Sequence, residues 1–359
     1  MKRLLSFSLA FLLFAIAMPV RAHTANGSVT VSARHATLYE PVTDTFLYDK
    51  DGDTPAPMAS TTKIMTAYVA CMRGDLTDRV VIPKDACGIE GSSLYLEAGE
   101  TLTLHDLLWG VLLQSANDAA TAVAIHMAGS VSDFARLMNE EAGRLGLQNT
   151  HFTNPHGLDD PDHYTTAKDL ARLAAAALEL PVFREMVASR KHTIPRGDEG
   201  DIRVLVNHNK LLHLYPDSAG VKTGFTKKSG RCLVGAAERD GLTLISVTLD
   251  APNDWNDHMR LLDMGFRQVQ NQKLWEAGEL RYTVPSLNVP GTTVVCTNSE
   301  AVYAVLKTGA EEPTLRVSLP HYIPTPQKNG KVVGTLTVYQ DGRAVGSAPL
   351  AVYEIQTSR

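Results

Sequence analysis

The sequence has little excess charge of either sign and few cysteines, and each scarcity excludes a class of protein. Its 359 residues include 34 lysines and arginines and 39 aspartates and glutamates, a formal net charge of −5. Without a basic excess, a nucleic-acid partner is not expected. The four cysteines are widely and irregularly spaced, so the chain is not a small domain framed by disulfides.

Long apolar runs are also missing after the first part of the chain. Residues 1–22 have a basic start, an apolar run over residues 4–17 and small residues at positions 20 and 22, which is typical of a cleaved signal peptide. No later stretch approaches the roughly 18 consecutive apolar residues that a membrane span needs. The sequence therefore predicts an exported protein without a spanning helix.

Residue types that bind metal ions are present, but their spacing does not suit a metal. Asp49, Asp51 and Asp53 begin like a calcium loop, yet the loop lacks glycine at its sixth position and glutamate at its twelfth. His208 and His213 have the wrong spacing for one helical face. We therefore expect no metal site.

Hydrophobic periodicity predicts a domain of mixed helices and strands over about residues 26–270. Three-and-four spacing predicts helices at residues 61–72, 103–114, 119–128, 132–148, 165–180 and 255–270. Alternating residues predict strands at 28–33, 36–38, 45–48, 219–226, 232–237 and 242–249. The last two strands meet at Asp240-Gly241, a strong hairpin signal. Helices before an antiparallel hairpin indicate the α+β class.

The character of the sequence changes at about residue 275. Short strands separated by proline and glycine turns follow, at residues 292–297, at 314–318 and as a pair around Asp341-Gly342. This pattern predicts a second, small β-rich domain over residues 275–356.

The first chemical motif is Ser60-x-x-Lys63, the single Ser-x-x-Lys of the chain, at the head of the first predicted helix. Residues three apart lie on the same side of a helix, so Lys63 can reach back to the Ser60 hydroxyl. The helix N-terminus also favours a developing negative charge. Taken alone, the tetrapeptide favours an N-capping serine followed by a surface lysine over a catalytic pair.

Two more motifs follow in a fixed order, Ser115-x-Asn117 between two predicted helices and Lys222-Thr223-Gly224 on a predicted strand. The set of three resembles the motifs of class A β-lactamases and penicillin-binding proteins. Further similar stretches at residues 91–96, 156–159 and 164–170, together with the β-rich domain, extend the resemblance over nearly the full length. The chain is identified as similar to the serine-type D-alanyl-D-alanine carboxypeptidases of peptidase family S11.

The resemblance implies a β-lactamase/transpeptidase-like domain followed by a small all-β domain, and no cofactor. It implies that Ser60 attacks the terminal D-Ala-D-Ala peptide bond of a peptidoglycan stem peptide and forms an acyl-enzyme that water hydrolyses. Lys63 is the implied base and must be neutral to act, which burial beside another cation favours. Ser115 would relay a proton to the leaving amine.

The remaining roles implied by the resemblance concern substrate binding. Asn117 would orient the substrate amide, and the motif Lys222-Thr223-Gly224 would meet the terminal carboxylate. The oxyanion hole would consist of the backbone N–H groups of Ser60 and Phe225. β-Lactam antibiotics are the implied inhibitors.

The sequence departs from the family pattern in two places. Relatives carry an arginine near the start of the last helix of the catalytic domain, where this chain reads Asn253-Asp254-Trp255-Asn256. Relatives often also end in an amphipathic membrane anchor, whereas this chain ends just after its last predicted strand. We therefore expect an enzyme of the cell envelope, on the periplasmic or extracellular side, that is soluble or wall-associated unless the signal segment stays attached and holds it at the membrane.

Four other functions are open to a protein with these motifs. A class A β-lactamase uses a glutamate in the loop before the third motif, and residues 151–169 contain aspartates but no glutamate. An esterase or a transpeptidase differs by pocket shape, which the sequence does not reveal. A non-enzymatic peptidoglycan-binding protein is expected to have lost Ser60 or Lys63, and both are present.

Overall fold

The structure is a computed structural model that describes residues 29–196 and 200–357. The predicted signal peptide lies outside the described residues. Within them the helices are α1 Lys63–Arg73, α2 Leu104–Leu113, α3 Asn117–Ala128, α4 Val131–Arg144, α5 Ala167–Leu178, α6 Pro181–Ala188, α7 Leu211–Leu214 and α8 Asp254–Gln268. None of these helices is both long and apolar enough to cross a membrane.

The strands form two larger antiparallel sheets and three two-stranded pairs. Those up to the last helix are β1 His35–Glu40, β2 Thr45–Lys50, β3 Arg79–Val81, β4 Thr101–Thr103, β5 Lys191–Arg196, β6 Asp201–Val206, β7 Ser218–Thr226, β8 Gly230–Arg239 and β9 Leu242–Leu249. Those after it are β10 Val269–Trp275, β11 Arg281–Pro285, β12 Thr292–Asn298, β13 Val302–Lys307, β14 Thr314–Ser318, β15 Val332–Gln340 and β16 Arg343–Thr357.

The first large sheet has the order β2-β1-β9-β8-β7, with helices on both faces. Along β9 the side chains alternate between the two faces. Ile245 and Val247 join the core that contains α1 to α6, while Leu244 joins a second core with Leu261 of α8. Strand β7, which carries the third motif, is one of the two edge strands. This three-layer arrangement confirms the predicted α+β class.

The second large sheet has the order β11-β12-β16-β15-β14, and β10 pairs with β13 beside it. The described part of the chain after Gln268 contains strands and turns and no helix. Two small apolar clusters, around Leu336 and around Val294, form its interior. The predicted β-rich character of this region is confirmed.

The six predicted helices are all present. The start of α2 shows why its N-terminal boundary could be predicted from the sequence. The Thr103 hydroxyl accepts a hydrogen bond from the Asp106 backbone N–H at 3.0 Å, and the Asp106 carboxylate accepts one from the Thr103 N–H. This capping box satisfies backbone groups that the helix leaves unpaired.

The strand predicted at residues 28–33 is wrong. The described part, from Val29 to Ala33, is not in a strand, although Val31 and Ala33 are buried. The intervening Ser32 bonds through both its N–H and its hydroxyl to the Asp257 carboxylate on α8. The alternating pattern therefore reflects an extended segment in which every second residue is buried. Its hydrogen-bond partner is a side chain of α8 instead of the backbone of a neighbouring strand. Residues 74–100, where the sequence pattern predicts neither helix nor strand, contain β3.

Candidate active site

Ser60 lies in a single 3₁₀ turn, Ala59–Thr62, that leads directly into α1. The hydroxyls of Thr61 and Thr62 stabilise the turn by donating to the backbone carbonyls of Met58 and Ala59, at 2.6 and 2.8 Å. In a 3₁₀ turn the side chains of residues i and i+3 eclipse each other. The local backbone therefore holds Lys63 directly beside the Ser60 hydroxyl.

The Lys63 side chain is completely buried and its amine has three oxygen neighbours. Its Nζ lies 2.9 Å from Ser60 Oγ, 2.7 Å from Asn117 Oδ1 and 2.6 Å from the His156 carbonyl oxygen. Burial lowers the pKa of Lys63 well below its ordinary value, and the charge of nearby Lys222 lowers it further. The amine is therefore driven toward its neutral form.

A neutral amine fits these three neighbours in one way. It has two N–H donors and one lone pair, and the oxygens of Asn117 and His156 can only accept. Those two oxygens take both donors, so the lone pair faces the Ser60 hydroxyl, the one neighbour that can donate. The contact then runs from Ser60 O–H to Lys63 Nζ, which is the arrangement that a general base requires.

A second lysine and serine form the other half of the site. Lys222 on β7 is buried, and its Nζ donates to Ser115 Oγ at 3.0 Å and to the Thr223 carbonyl at 2.9 Å. Burial lowers the pKa of Lys222 to about 7. Ser115 lies between α2 and α3 with a φ of +59°, a conformation that non-glycine residues rarely adopt and that clusters at functional sites.

Asn117 is the first residue of α3, and its surroundings include residues that the sequence analysis missed. Its backbone N–H donates to the Ser92 carbonyl at 2.7 Å. The next residue, buried Asp118, accepts from the Leu94 and Leu96 N–H groups at 3.0 and 3.1 Å. Asp118 therefore holds the loop over residues 91–96 against the second motif. Its place directly after that motif was the signal that could have identified it.

The sequence gives the turn at His156-Gly157 no chemical role, yet the backbone of this turn contacts Ser60 and Lys63. The His156 carbonyl accepts from Lys63 and lies 3.4 Å from Ser60 Oγ. Gly157 has a φ of +87°, and a Cβ added there would lie 1.9 Å from the Ala59 carbonyl oxygen. Glycine is required here, because a side chain would push the turn away from Ser60.

Changing Gly157 to alanine is therefore expected to lower the free energy of unfolding by about 2–4 kcal/mol, from left-handed strain plus the clash. Chemical denaturation measures this loss. Gly129→Ala is the matched control, because Gly129 also has a positive φ, +80°, but open space around it. We expect the control to lose about 1 kcal/mol. Equal losses in the two variants would contradict the proposed contact with Ala59.

The sequence-predicted residues converge on one open cleft of about 370 Å³. Ser60, Ser115, Thr223, Gly224 and Phe225 line it directly. Asn117 and Lys222 are buried beneath these residues. Asn117 bonds to Lys63, which contacts Ser60, and Lys222 bonds to Ser115. A Cβ on Gly224 would lie 3.0 Å from Ser60 N, so β7 passes against the 3₁₀ turn. Two serines and two buried lysines thus meet beside an edge strand, an arrangement that fits a serine acyl-transferring enzyme with a β-lactamase/transpeptidase-like fold.

Comparison with known proteins identifies the family within that class. Residues 20–253 match the sequence model of the D-alanyl-D-alanine carboxypeptidases, peptidase family S11. Residues 270–355 match that of the penicillin-binding protein 5 C-terminal domain. The chain belongs to the S11 family, and the predicted serine-type carboxypeptidase is confirmed.

Individual relatives resemble the chain over most of its length. The D-alanyl-D-alanine carboxypeptidase DacF of Bacillus subtilis is 30% identical over 99% of this chain and 94% of its own. DacC of Escherichia coli is 32% identical over 90% of this chain and 84% of its own. The crystal structure of penicillin-binding protein 5 from Haemophilus influenzae superposes with a TM-score of 0.71 at 28% identity, covering 91% and 98% of the two chains.

Proposed function

We propose that this enzyme removes the terminal D-alanine from peptidoglycan stem peptides through an acyl-enzyme on Ser60. The observation that carries the proposal is the buried Lys63 amine, 2.9 Å from Ser60 Oγ and bonded to the oxygens of Asn117 and His156. The loop before the third motif brings a backbone carbonyl to Lys63 and not a carboxylate. That arrangement favours a carboxypeptidase over a class A β-lactamase.

In the acylation step, Ser60 Oγ attacks the carbonyl carbon of the terminal peptide bond and its proton passes to Lys63. The backbone N–H groups of Ser60 and Phe225 stabilise the oxyanion, a contribution of about 3–4 kcal/mol per donor in comparable enzymes. Support comes from the close approach of β7 to the 3₁₀ turn.

The tetrahedral intermediate then collapses by breaking the peptide bond. Ser115 gives its proton to the departing D-alanine amine, and Lys222 replaces that proton through its hydrogen bond to Ser115 Oγ. Asn117 orients the substrate amide and Thr223 meets its carboxylate. Water then hydrolyses the ester on Ser60 and frees the shortened peptide.

The cellular context is part of the same proposal. We propose that residues 1–22 are a signal peptide and that the mature protein works in the cell envelope, with β-lactams as covalent inhibitors. We also propose a catalytic domain over residues 26–270 and a β-rich domain over 275–356. Support for this division comes from the two separate sheets and the two family matches.

The test uses the mature protein and two reagents. A fluorescent penicillin with mass spectrometry identifies the acylated residue, and diacetyl-L-Lys-D-Ala-D-Ala reports release of D-alanine. We expect label on Ser60 together with D-alanine release. Label on Ser60 without release would replace the proposal with a transpeptidase, an esterase or a binding role. The absence of label from Ser60 would refute the mechanism itself.

The two lysines predict a bell-shaped dependence of the acylation rate on pH. Acylation is fastest with Lys63 neutral and Lys222 charged, so the rate rises as pH passes the lowered pKa of Lys63 and falls as Lys222 deprotonates. In Lys222→Met the neighbouring charge is gone, which raises the pKa of Lys63. We expect the acid limb to move to higher pH and the alkaline limb to disappear.

Stopped-flow acylation by penicillin at a series of pH values measures both limbs. The control is Lys210→Met, which removes an exposed lysine of the same cleft and should leave the acid limb in place. An unmoved acid limb in Lys222→Met would show that Lys222 does not lower the pKa of Lys63.

A further inference from the structure

A cation lies in the active-site cleft at a position that the sequence motifs did not mark. Arg231 is the second residue of β8, and its side chain is 42% exposed and lines the cleft together with Ser60 and Thr223. The first turn of α8, where relatives carry an arginine, contains none in this chain. The cleft therefore has an arginine, but one supplied by a different element.

The strand register places Arg231 on the substrate side of the third motif. Arg231 pairs directly with Phe225, and Leu233 pairs with Thr223. Side chains of paired residues and of residues two apart share a face of the sheet. Arg231 and Thr223 are therefore diagonal neighbours on one face, about 7–8 Å apart at their Cα atoms, a distance that an arginine side chain can span.

The guanidinium is oriented before any substrate arrives. Its Nη2 donates to Asp254 Oδ1 at 2.8 Å, and its centre lies 5.6 Å from the ring centroid of Trp255. Asp254 is nearly fully buried, and its Oδ1 also accepts from the Trp255 N–H at 2.8 Å. The start of α8 thus holds the arginine in place, although it supplies none itself.

The hydrogen bonds of Arg231 leave donors for a ligand. A guanidinium has five N–H donors, and Asp254 takes one of them, from Nη2. The Nε–H is buried and has no hydrogen-bond partner among residues 29–196 and 200–357, so the donors open to a ligand are those of the terminal nitrogens. Lys222 is less suited to the same task, since its buried amine is already bonded to Ser115 and to the Thr223 carbonyl.

We propose that Arg231 binds the C-terminal carboxylate of the substrate beside Thr223, and so makes the enzyme specific for peptides with a free carboxyl end. A guanidinium fork matches a carboxylate in shape and charge. This inference rests on the proposed carboxypeptidase function and adds the residue that selects its substrate. Asp254 and Trp255 are positioning residues that act through Arg231.

The experiment compares diacetyl-L-Lys-D-Ala-D-Ala with the same peptide ending in a carboxamide. In Arg231→Met we expect kcat/KM for the acid to fall about 10²-fold to 10³-fold, in the range of a lost charge-assisted contact. The amide should change less than about 3-fold, because it has no carboxylate for Arg231 to bind. The preference of the enzyme for the acid is therefore expected to collapse.

Two further variants separate binding from folding. Arg231→Met leaves the buried Asp254 without its cation, so Arg231→Met combined with Asp254→Asn removes that unpaired charge. The double variant should show the same collapse of preference. Lys210→Met removes the other exposed cation of the cleft and should keep the preference.

The outcomes are distinct. Equal losses on acid and amide in both Arg231 variants would mean that Arg231 has only a structural role. Loss of the preference in Lys210→Met and not in Arg231→Met would assign the carboxylate to Lys210. Failure of the wild-type enzyme to release D-alanine from the acid would instead overturn the proposed function.

Discussion

Replacing Ser60 by alanine is expected to abolish penicillin labelling and to lower D-alanine release by at least about 10⁴-fold. The reason is geometric. The Lys63 amine contacts one hydroxyl, that of Ser60, and the 3₁₀ turn holds that hydroxyl in the cleft. No second nucleophile shares this contact in the described part of the chain. Without Oγ, the covalent intermediate cannot form.

Intact-mass spectrometry after incubation with penicillin measures the label, and an enzyme-coupled assay measures D-alanine. Ser92→Ala is the matched control, because Ser92 is another serine that lines the cleft and has no place in the proposed mechanism. It should keep both activities. Labelling of Ser60→Ala at another residue would show that the nucleophile has been misassigned.

Replacing Lys63 by methionine is expected to slow acylation by about 10³-fold or more, the typical value of a well-placed general base. The hydroxyl remains, but its proton has no acceptor. The variant also leaves the oxygens of Asn117 and His156 without their donor, which costs about 1–3 kcal/mol of stability for each buried group.

The rate constant for acylation by penicillin and the free energy of unfolding should be measured on the same preparation. Loss of rate in a protein that is still folded is the expected result. Lys227→Met, which removes an exposed lysine just after β7, is the control and should acylate normally. Acylation of Lys63→Met at the normal rate would mean that another group takes the proton.

Most of the catalytic residues could be predicted from the sequence because each motif is local. Ser60 and Lys63 are three residues apart, and the spacing alone places them on one side of a helical turn. The pairs Ser115 with Asn117 and Lys222 with Thr223 are likewise separated by no more than one residue. Short-range backbone geometry determines the relation of their members to each other, so a pattern of residue types is enough.

The supporting groups could not be predicted in the same way. The His156 partner of Lys63 is a backbone carbonyl, and every residue has one. Arg231 was missed because a lone arginine has no motif, and its relation to Thr223 depends on the register between two strands. The mistaken strand at residues 28–33 has the same origin, since alternating burial does not say whether the neighbour is a strand or a helix.

The sequence by itself determined the three motifs, the helices that carry two of them and the class of chemistry, because these depend on contacts within a few residues. The tertiary structure determined the protonation states of the two lysines. Lys63 is 54 residues from Asn117, and Lys222 is 107 from Ser115, yet folding brings all four into one buried cluster. Burial lowers the pKa of both lysines, and the charge of Lys222 lowers that of Lys63 further. Both effects are properties of the packed protein rather than of any stretch of its chain.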